Sequence, residues 1–527
     1  MSSRKDGISR REFLKMLGVA GTVAMVPGLA GCAADDGGSP TGDVGGGKFV
    51  AALKANPQGL DPQFNSNTES FQAMLNIYET LIDYDPRTDE FFPQLITKMP
   101  DMSDPTHFVF ELREDVKFHD GTPLTAEDVK YTFDWILEMG SQSPSYSLYS
   151  TLEEVNILDT YKVEMKLSFP YGMFIPYLAS IMGGIVKKDC RDNQDLVKNP
   201  AGVGCGPYRF KEWVEGDHLS YEKYADYHQP GVPHFDTFEY RILVEETART
   251  AQLMTGDVDF VGIFPQKDFK ALTSRDDIDG KVGPSTQVGY VLLNHLNDLG
   301  SNKHLRRALS FAIDGQAMLD TVLEGYGLVA NGPVRSNAWW YDPAVEEVMC
   351  YDLDRAKEEL KLAGFEDGLE IDLYTQNSSY FINASILIKD MWSKIGVTAN
   401  VLSMEKSAMY GIVKKGATNW TACYTTWSSS VISPDYMMKL VYTTNGSYMR
   451  CSWNNAEFDS YVEQAQRAGT KAQQKEALSK AQLLMAEEVA SIWCMWHAWT
   501  PAWRSDIKGY EPAPSYYYYF DNVRRQK

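Results

Sequence analysis

The chain has 527 residues, of which 44% are hydrophobic, 12% aromatic and 23% charged, and its net charge is −21. That composition supplies enough apolar residues for packed cores and too many aromatics for a disordered chain. The acidic balance excludes a nucleic-acid binder that works through a basic face, and the lack of an apolar run of about 18 residues in the body excludes a polytopic helical membrane protein. At about 150 residues per domain, the length predicts two to four domains.

The N-terminus reads as an address. Ser9-Arg10-Arg11-Glu12-Phe13-Leu14-Lys15 is a twin-arginine pattern, and Met16 to Ala30 is an apolar stretch rich in Gly, Ala and Val. The stretch is too short and glycine-rich for a stable span and has the flanks of an export signal. It ends in Leu29-Ala30-Gly31-Cys32, a lipobox in which small residues admit the peptidase and the Cys32 thiol takes a diacylglycerol. Cleavage before Cys32 removes a segment of charge +3 and leaves 496 residues of charge −24. Residues 33–47, rich in Gly, Ser, Pro and Asp, cannot bury apolar surface and read as a flexible tether. Gly42 to Lys48 imitates the glycine-and-lysine part of a phosphate loop, but Phe49 stands where a Ser or Thr would hold magnesium.

Along the body, helical and strand-like segments alternate. Lys48–Lys54 reads as a strand, Ser70–Leu81 as a helix and His107–Leu112 as a strand. Thr125 and Asp128 have the spacing of a capping box opening a helix, and Val155–Leu158 with Tyr161–Leu167 reads as a strand pair. Further strands are expected at 208–210, 219–227, 238–243 and 288–293. His304–Leu323 reads as two helices broken near Asp314-Gly315. A helix at 353–363 and alternating elements from 369 to 499 complete a mixed α/β pattern.

The search for reaction chemistry returns little. There is no Gly-x-Ser-x-Gly elbow and no His-Glu-x-x-His pair, and the eight histidines are scattered. Outside the lipobox stand six cysteines, none in a Cys-x-x-Cys pair, so structural zinc is not expected. Export permits disulfides, and Cys190 with Cys205 is the closest pair, a tentative bridge. Neither an enzyme nor a cofactor nor a bound metal is expected.

Several motifs occur in order: FELREDVKFHDGTPLTAEDVKYTFD at 110–134, Gly204-Cys205-Gly206-Pro207-Tyr208, LRRALSFAID at 305–314, DRAKEELKLAG at 354–364 and Glu457-Phe458-Asp459. This set resembles the extracytoplasmic solute-binding proteins of ABC importers, family 5, typified by oligopeptide- and dipeptide-binding proteins. The resemblance implies a two-lobed periplasmic-binding-protein fold of type II, with a hinge and an extra domain inserted in the first lobe. On that basis 48–84, 195–292 and 498–527 form lobe I, 85–194 the inserted domain and 293–497 lobe II. It also implies a monomer that closes on its ligand and docks on a membrane permease.

In peptide-binding members an Asp three residues after a Trp anchors the ligand's ammonium. Here the matching segment runs Trp427-Ser428-Ser429-Ser430, so Ser430 stands where that Asp would be, and Asp435 is the nearest substitute. The resemblance implies a ligand site at Trp427, Ser428, Ser430 and Asp435, and the rings, hydroxyls and amides of Trp340 and of Ser66, Asn67 and Thr68 are expected to join it. Two ligand classes stay open: an oligopeptide held by strand-like main-chain bonds, or an oligosaccharide stacked on aromatic rings.

The address makes the first testable statement. Cys32→Ala yields a protein that no longer incorporates labelled palmitate, and Arg10→Lys with Arg11→Lys stops twin-arginine export. Both are read by metabolic labelling and cell fractionation.

Overall fold

The computed structural model describes residues 43–526 apart from Gly45, Pro86, Asp89, Pro265, Ser430 and Tyr516. Arg10, Arg11, Cys32 and most of the tether therefore lie outside the described residues, as does Ser430.

Two large open sheets organise the chain. The first has seven strands in the order 278–280, 502–504, 260–261, 48–53, 237–242, 218–223, 208–214. Its central strand, Lys48–Leu53, is buried along all but its first residue and runs parallel to both of its neighbours. Such a strand must be apolar on both faces, which is why Phe-Val-Ala-Ala-Leu carries no alternation. Phe49 stacks on Phe235 and Phe238 and meets Phe520 edge-on at 4.9 Å, so the C-terminal segment closes one face of this sheet.

The second sheet has six strands in the order 327–329, 491–499, 283–293, 422–428, 369–376, 397–404. Leu369–Gln376 and Val397–Met404 are parallel and joined by the Ser379–Ser393 helix, a β-α-β crossover. The helix is anchored by Trp392, fully buried, whose indole donates to the Leu309 carbonyl at 3.0 Å. The Lys303–Phe311 and Gly315–Val322 helices break where the sequence indicates, because the Asp314 carboxylate accepts from Ala317 N at 3.0 Å and caps the second one.

A smaller three-stranded antiparallel sheet, 107–111, 162–167 and 152–159, stands between the chain segments of the first sheet. The Ala126–Met139 helix packs on it, with Lys130 Nζ donating to the Val155 carbonyl. Asp128 Oδ2 accepts from both Thr125 N and Thr125 Oγ1, as the capping-box spacing requires.

The chain passes between the two large sheets twice. Gly280 ends a strand of the first and Gly283 begins a strand of the second; Trp499 ends a strand of the second and Ala502 begins one of the first. The two passages lie side by side, Gly280 opposite Ala502 and Gly283 opposite Trp499.

Two expectations change. The helix expected over Ser70–Leu81 spans only Thr68–Met74. Beyond it the backbone is bonded from elsewhere: Gly206 N donates to the Ile77 carbonyl at 2.8 Å and Tyr208 N to that of Asn76 at 3.0 Å. A long-range pairing thus replaces the helical one that periodicity suggested. The bridge between Cys190 and Cys205 is not made; both are buried free thiols. They face different partners, Cys190 the Tyr131 hydroxyl and Cys205 the Glu79 backbone, and burial pushes the Cys190 thiol up to about 11.

The Gly204-Cys205-Gly206 segment can approach that backbone only without side chains. A Cβ on Gly204 would stand 2.1 Å from the Ile77 carbonyl oxygen. Gly204→Ala is expected to destabilise the protein by about 2–3 kcal/mol, the scale of an overpacked core, read as a lower denaturant midpoint at unchanged slope.

Candidate ligand-binding site

Trp427 and Ser428 end the Ala422–Ser428 strand, which runs parallel to Leu369–Gln376. In open α/β sheets the crevice beyond the carboxyl ends of such strands is where ligands sit. The segment after this strand forms one wall of a concave site with about 450 Å³ of unoccupied space, part of it open to solvent. Thr286 and Trp496 come from the strands 283–293 and 491–499, Arg335 and Trp340 from the 333–340 loop, and Ser429 and Ile432 from the segment itself. The remaining described lining is apolar, apart from Ser433.

The walls are fastened to one another. Thr286 Oγ1 donates to the Ser429 carbonyl at 2.7 Å, and Trp427 Nε1 donates to Ser429 Oγ at 3.1 Å. Half-buried Trp427 also packs edge-on against Tyr448, with ring centroids 5.3 Å apart. Trp340 is held by its carbonyl, which accepts from Gln482 Nε2 at 2.9 Å, and its ring meets Trp339 at 5.4 Å.

The sequence-derived residues divide. Trp340 lines the cavity, Trp427 reaches its wall through Ser429, and exposed Ser428 adjoins it. Ser66, Asn67 and Thr68 stand at the start of the Thr68–Met74 helix, beside the first sheet. There Asn67 Oδ1 accepts from Ser70 N at 3.0 Å as the N-cap, so its side chain already has a structural partner. No described contact joins these three to the cavity.

Asp435, read from the sequence as a ligand residue, is instead fully enclosed. Its Oδ1 accepts from Ser433 Oγ at 2.6 Å and from Tyr177 OH at 3.5 Å, and its Oδ2 from Gln466 Nε2 at 2.8 Å. Nearby Lys439 Nζ donates to Tyr171 OH at 3.1 Å; burial lowers its ammonium and the Asp435 charge opposes that shift. Tyr171 and Tyr177 belong to the segment after the three-stranded sheet, so this network ties that segment to the region of the second sheet. The Gly172 N to Gln466 carbonyl bond at 2.9 Å runs alongside.

Sequence reasoning missed Thr286, Arg335 and Trp496. One signal for the last was present: Ile492–Trp499 carries three tryptophans, more than a strand core requires.

Residues 90–449 match the family described as bacterial extracellular solute-binding proteins, family 5 Middle. The chain belongs to this family. Its members serve as solute-binding components of ABC importers, and they and their structural neighbours are binding proteins rather than enzymes. The probable D,D-dipeptide-binding periplasmic protein DdpA of Escherichia coli K12 is 25% identical over 477 residues, 88% of this chain and 91% of that one. The glutathione-binding protein GsiB of Salmonella typhimurium is 25% identical over 97% of this chain and 98% of its own. A dipeptide-binding protein of Pseudoalteromonas sp. SM9913, solved with Met-Leu, superposes with a TM-score of 0.78 at 24% identity, covering 91% of this chain and all of that one. The fold is therefore the two-lobed periplasmic-binding-protein fold, and the chain is an extracytoplasmic solute-binding protein.

The Asp435 network makes a stability statement. Asp435→Ala leaves the buried donors of Ser433, Tyr177 and Gln466 without their acceptor. A loss of roughly 1–3 kcal/mol is expected, the scale for a buried polar group left unsatisfied, read in urea denaturation.

Proposed function

We propose that the protein captures a peptide between its two lobes and delivers it to an ABC permease in the cytoplasmic membrane. The seven-stranded sheet, built from segments within 48–84, 195–280 and 502–527, is the core of lobe I, so the strand 283–293, expected in lobe I, goes to lobe II. Residues 85–194 form the inserted domain, and the six-stranded sheet is the core of lobe II. The hinge is the pair of passages at 280–283 and 499–502. The lipid on Cys32, placed there after twin-arginine export, holds a monomeric receptor near its permease.

The observation that carries this reading is the cavity at the carboxyl end of the Ala422–Ser428 strand, with Trp340 and Trp427 beside it, in a chain of family 5. Trp340, Trp427, Ser428 and Ser430 are the ligand contacts from lobe II, and Ser66–Thr68 face them from lobe I on closure. Peptide is favoured over oligosaccharide because relatives that align along nearly their whole length are named for dipeptides and glutathione. Closure is selective because only the closed state offers the ligand contacts from both lobes.

Calorimetry with peptide and oligosaccharide panels tests the ligand class. Peptide is expected to bind at one site per chain and to be recovered unaltered; saturable binding of oligosaccharides alone overturns the peptide reading. Ser430→Asp sharpens the comparison, since a new carboxylate should favour a free-amine peptide and penalise a neutral sugar. Trp427 fluorescence is expected to shift on ligand addition, and Trp427→Ala to weaken binding by about 1–3 kcal/mol, the scale of an aromatic contact anchor.

A further inference from the structure

Each polar side chain in the described lining of the cavity is already engaged. Thr286 Oγ1 donates to the Ser429 carbonyl at 2.7 Å, Ser429 Oγ accepts from Trp427 Nε1 at 3.1 Å, and Ser433 Oγ donates to Asp435 Oδ1 at 2.6 Å. Arg335 has a partner of its own. Asp435, the carboxylate that follows the wall in sequence, is fully enclosed with both oxygens bonded.

The rest of the described lining is apolar, with Val334, Trp340, Val431, Ile432, Met437 and Trp496 among it. Val334, Val431 and Met437 are buried, while Trp340 and Ile432 are half-buried, so apolar surface continues from the interior out to solvent. The unoccupied space of about 450 Å³ is in part open, and an entering group displaces water from these surfaces. A branched or aromatic side chain gains by that exchange, and the unbranched thioether of Met437 adjusts to either shape. A charged or amide side chain would give up its hydration and meet no unengaged side-chain partner in the described walls. The hydroxyls of a sugar meet the same difficulty.

We propose that this cavity is a side-chain pocket and takes one large apolar residue of the peptide, of the size of Leu, Met or Phe. The inference rests on the peptide reading above and narrows it: a peptide with such a residue at the position that enters the cavity is selected over the same peptide carrying Ala, Gln, Lys or Glu there.

The test is calorimetry on the full mature chain with alanine peptides of two to five residues, in which each position in turn is Leu, Phe, Gln, Lys or Glu. At one position wild type is expected to bind the Leu or Phe member about tenfold or more tightly than the Ala, Lys or Glu member, the scale of burying one large apolar side chain. Ile432→Glu places a carboxylate in the wall from a half-buried loop position, and should turn the preference at that position to Lys. Trp340→Ala removes a ring from the wall and should bring Phe within about threefold of Ala; it serves as the second variant if thermal melting shows that Ile432→Glu fails to fold. Leu and Phe within about threefold of Ala at every position in wild type, or a preference that neither variant moves, overturns the inference and leaves the peptide reading standing. Binding of none of the peptides overturns both.

Discussion

Two chain passages lying side by side carry the covalent connection between the large sheets, and the rest of the molecule depends on that constraint. The passages are short, and they are buttressed from the C-terminal segment. A Cβ on Gly283 would stand 2.4 Å from Pro512, Trp499 Nε1 donates to the Pro514 carbonyl at 3.2 Å, and Thr286 N donates to that same carbonyl at 3.0 Å. Thr286 also holds the cavity wall through Ser429. One residue therefore bonds at once to the segment that clamps the passages and to the loop that shapes the site. The cavity wall and the clamp on the passages therefore share Thr286 as a common bonding partner.

Much of the fold was legible because its signals are local. Thr125 and Asp128 cap a helix three residues apart, Asp314 caps one at the break in a longer apolar pattern, and the unalternating Phe49–Leu53 run marks a strand buried on both faces. The failures are non-local. Nothing within Ser70–Leu81 says that Gly206 and Tyr208 will claim the carbonyls of Ile77 and Asn76, so periodicity extended that helix too far. Cys190 and Cys205 are near in sequence, yet their thiols face separate partners. The site was half legible for the same reason. Trp427 lies in a segment matched to the family and Trp340 in a run of adjacent aromatics, whereas Thr286 and Trp496, 210 residues apart in the sequence, enter the cavity from two paired strands.

Asp435 shows how a sequence position misleads about role. A carboxylate eight residues beyond Trp427 is near enough to be considered for ligand contact, but the fold uses it to join the Tyr171–Tyr177 segment to the second sheet. That junction is polar: a buried carboxylate, two buried phenols and a buried amide bond one another, with the half-buried Lys439 ammonium donating to one of the phenols. Apolar residues of similar volume could hold the parts together as firmly. What a fully bonded polar cluster adds is directionality, because a shifted register would strand its charges, and so it fixes one arrangement of the segment against the sheet.

The same logic separates the acidic surface from the site. At physiological salt the field of a net charge of −21 is screened within about 8 Å, so it governs solubility more than capture. Around the cavity the described lining is mainly apolar and aromatic, with Thr286, Arg335, Ser429 and Ser433 as its other polar members. A receptor of this kind draws little selectivity from long-range attraction. On the proposed reading its discrimination arises at the last step, when a solute group must give up its hydration and meet the cavity walls. Such selection acts on the lifetime of the closed complex rather than on the rate of encounter.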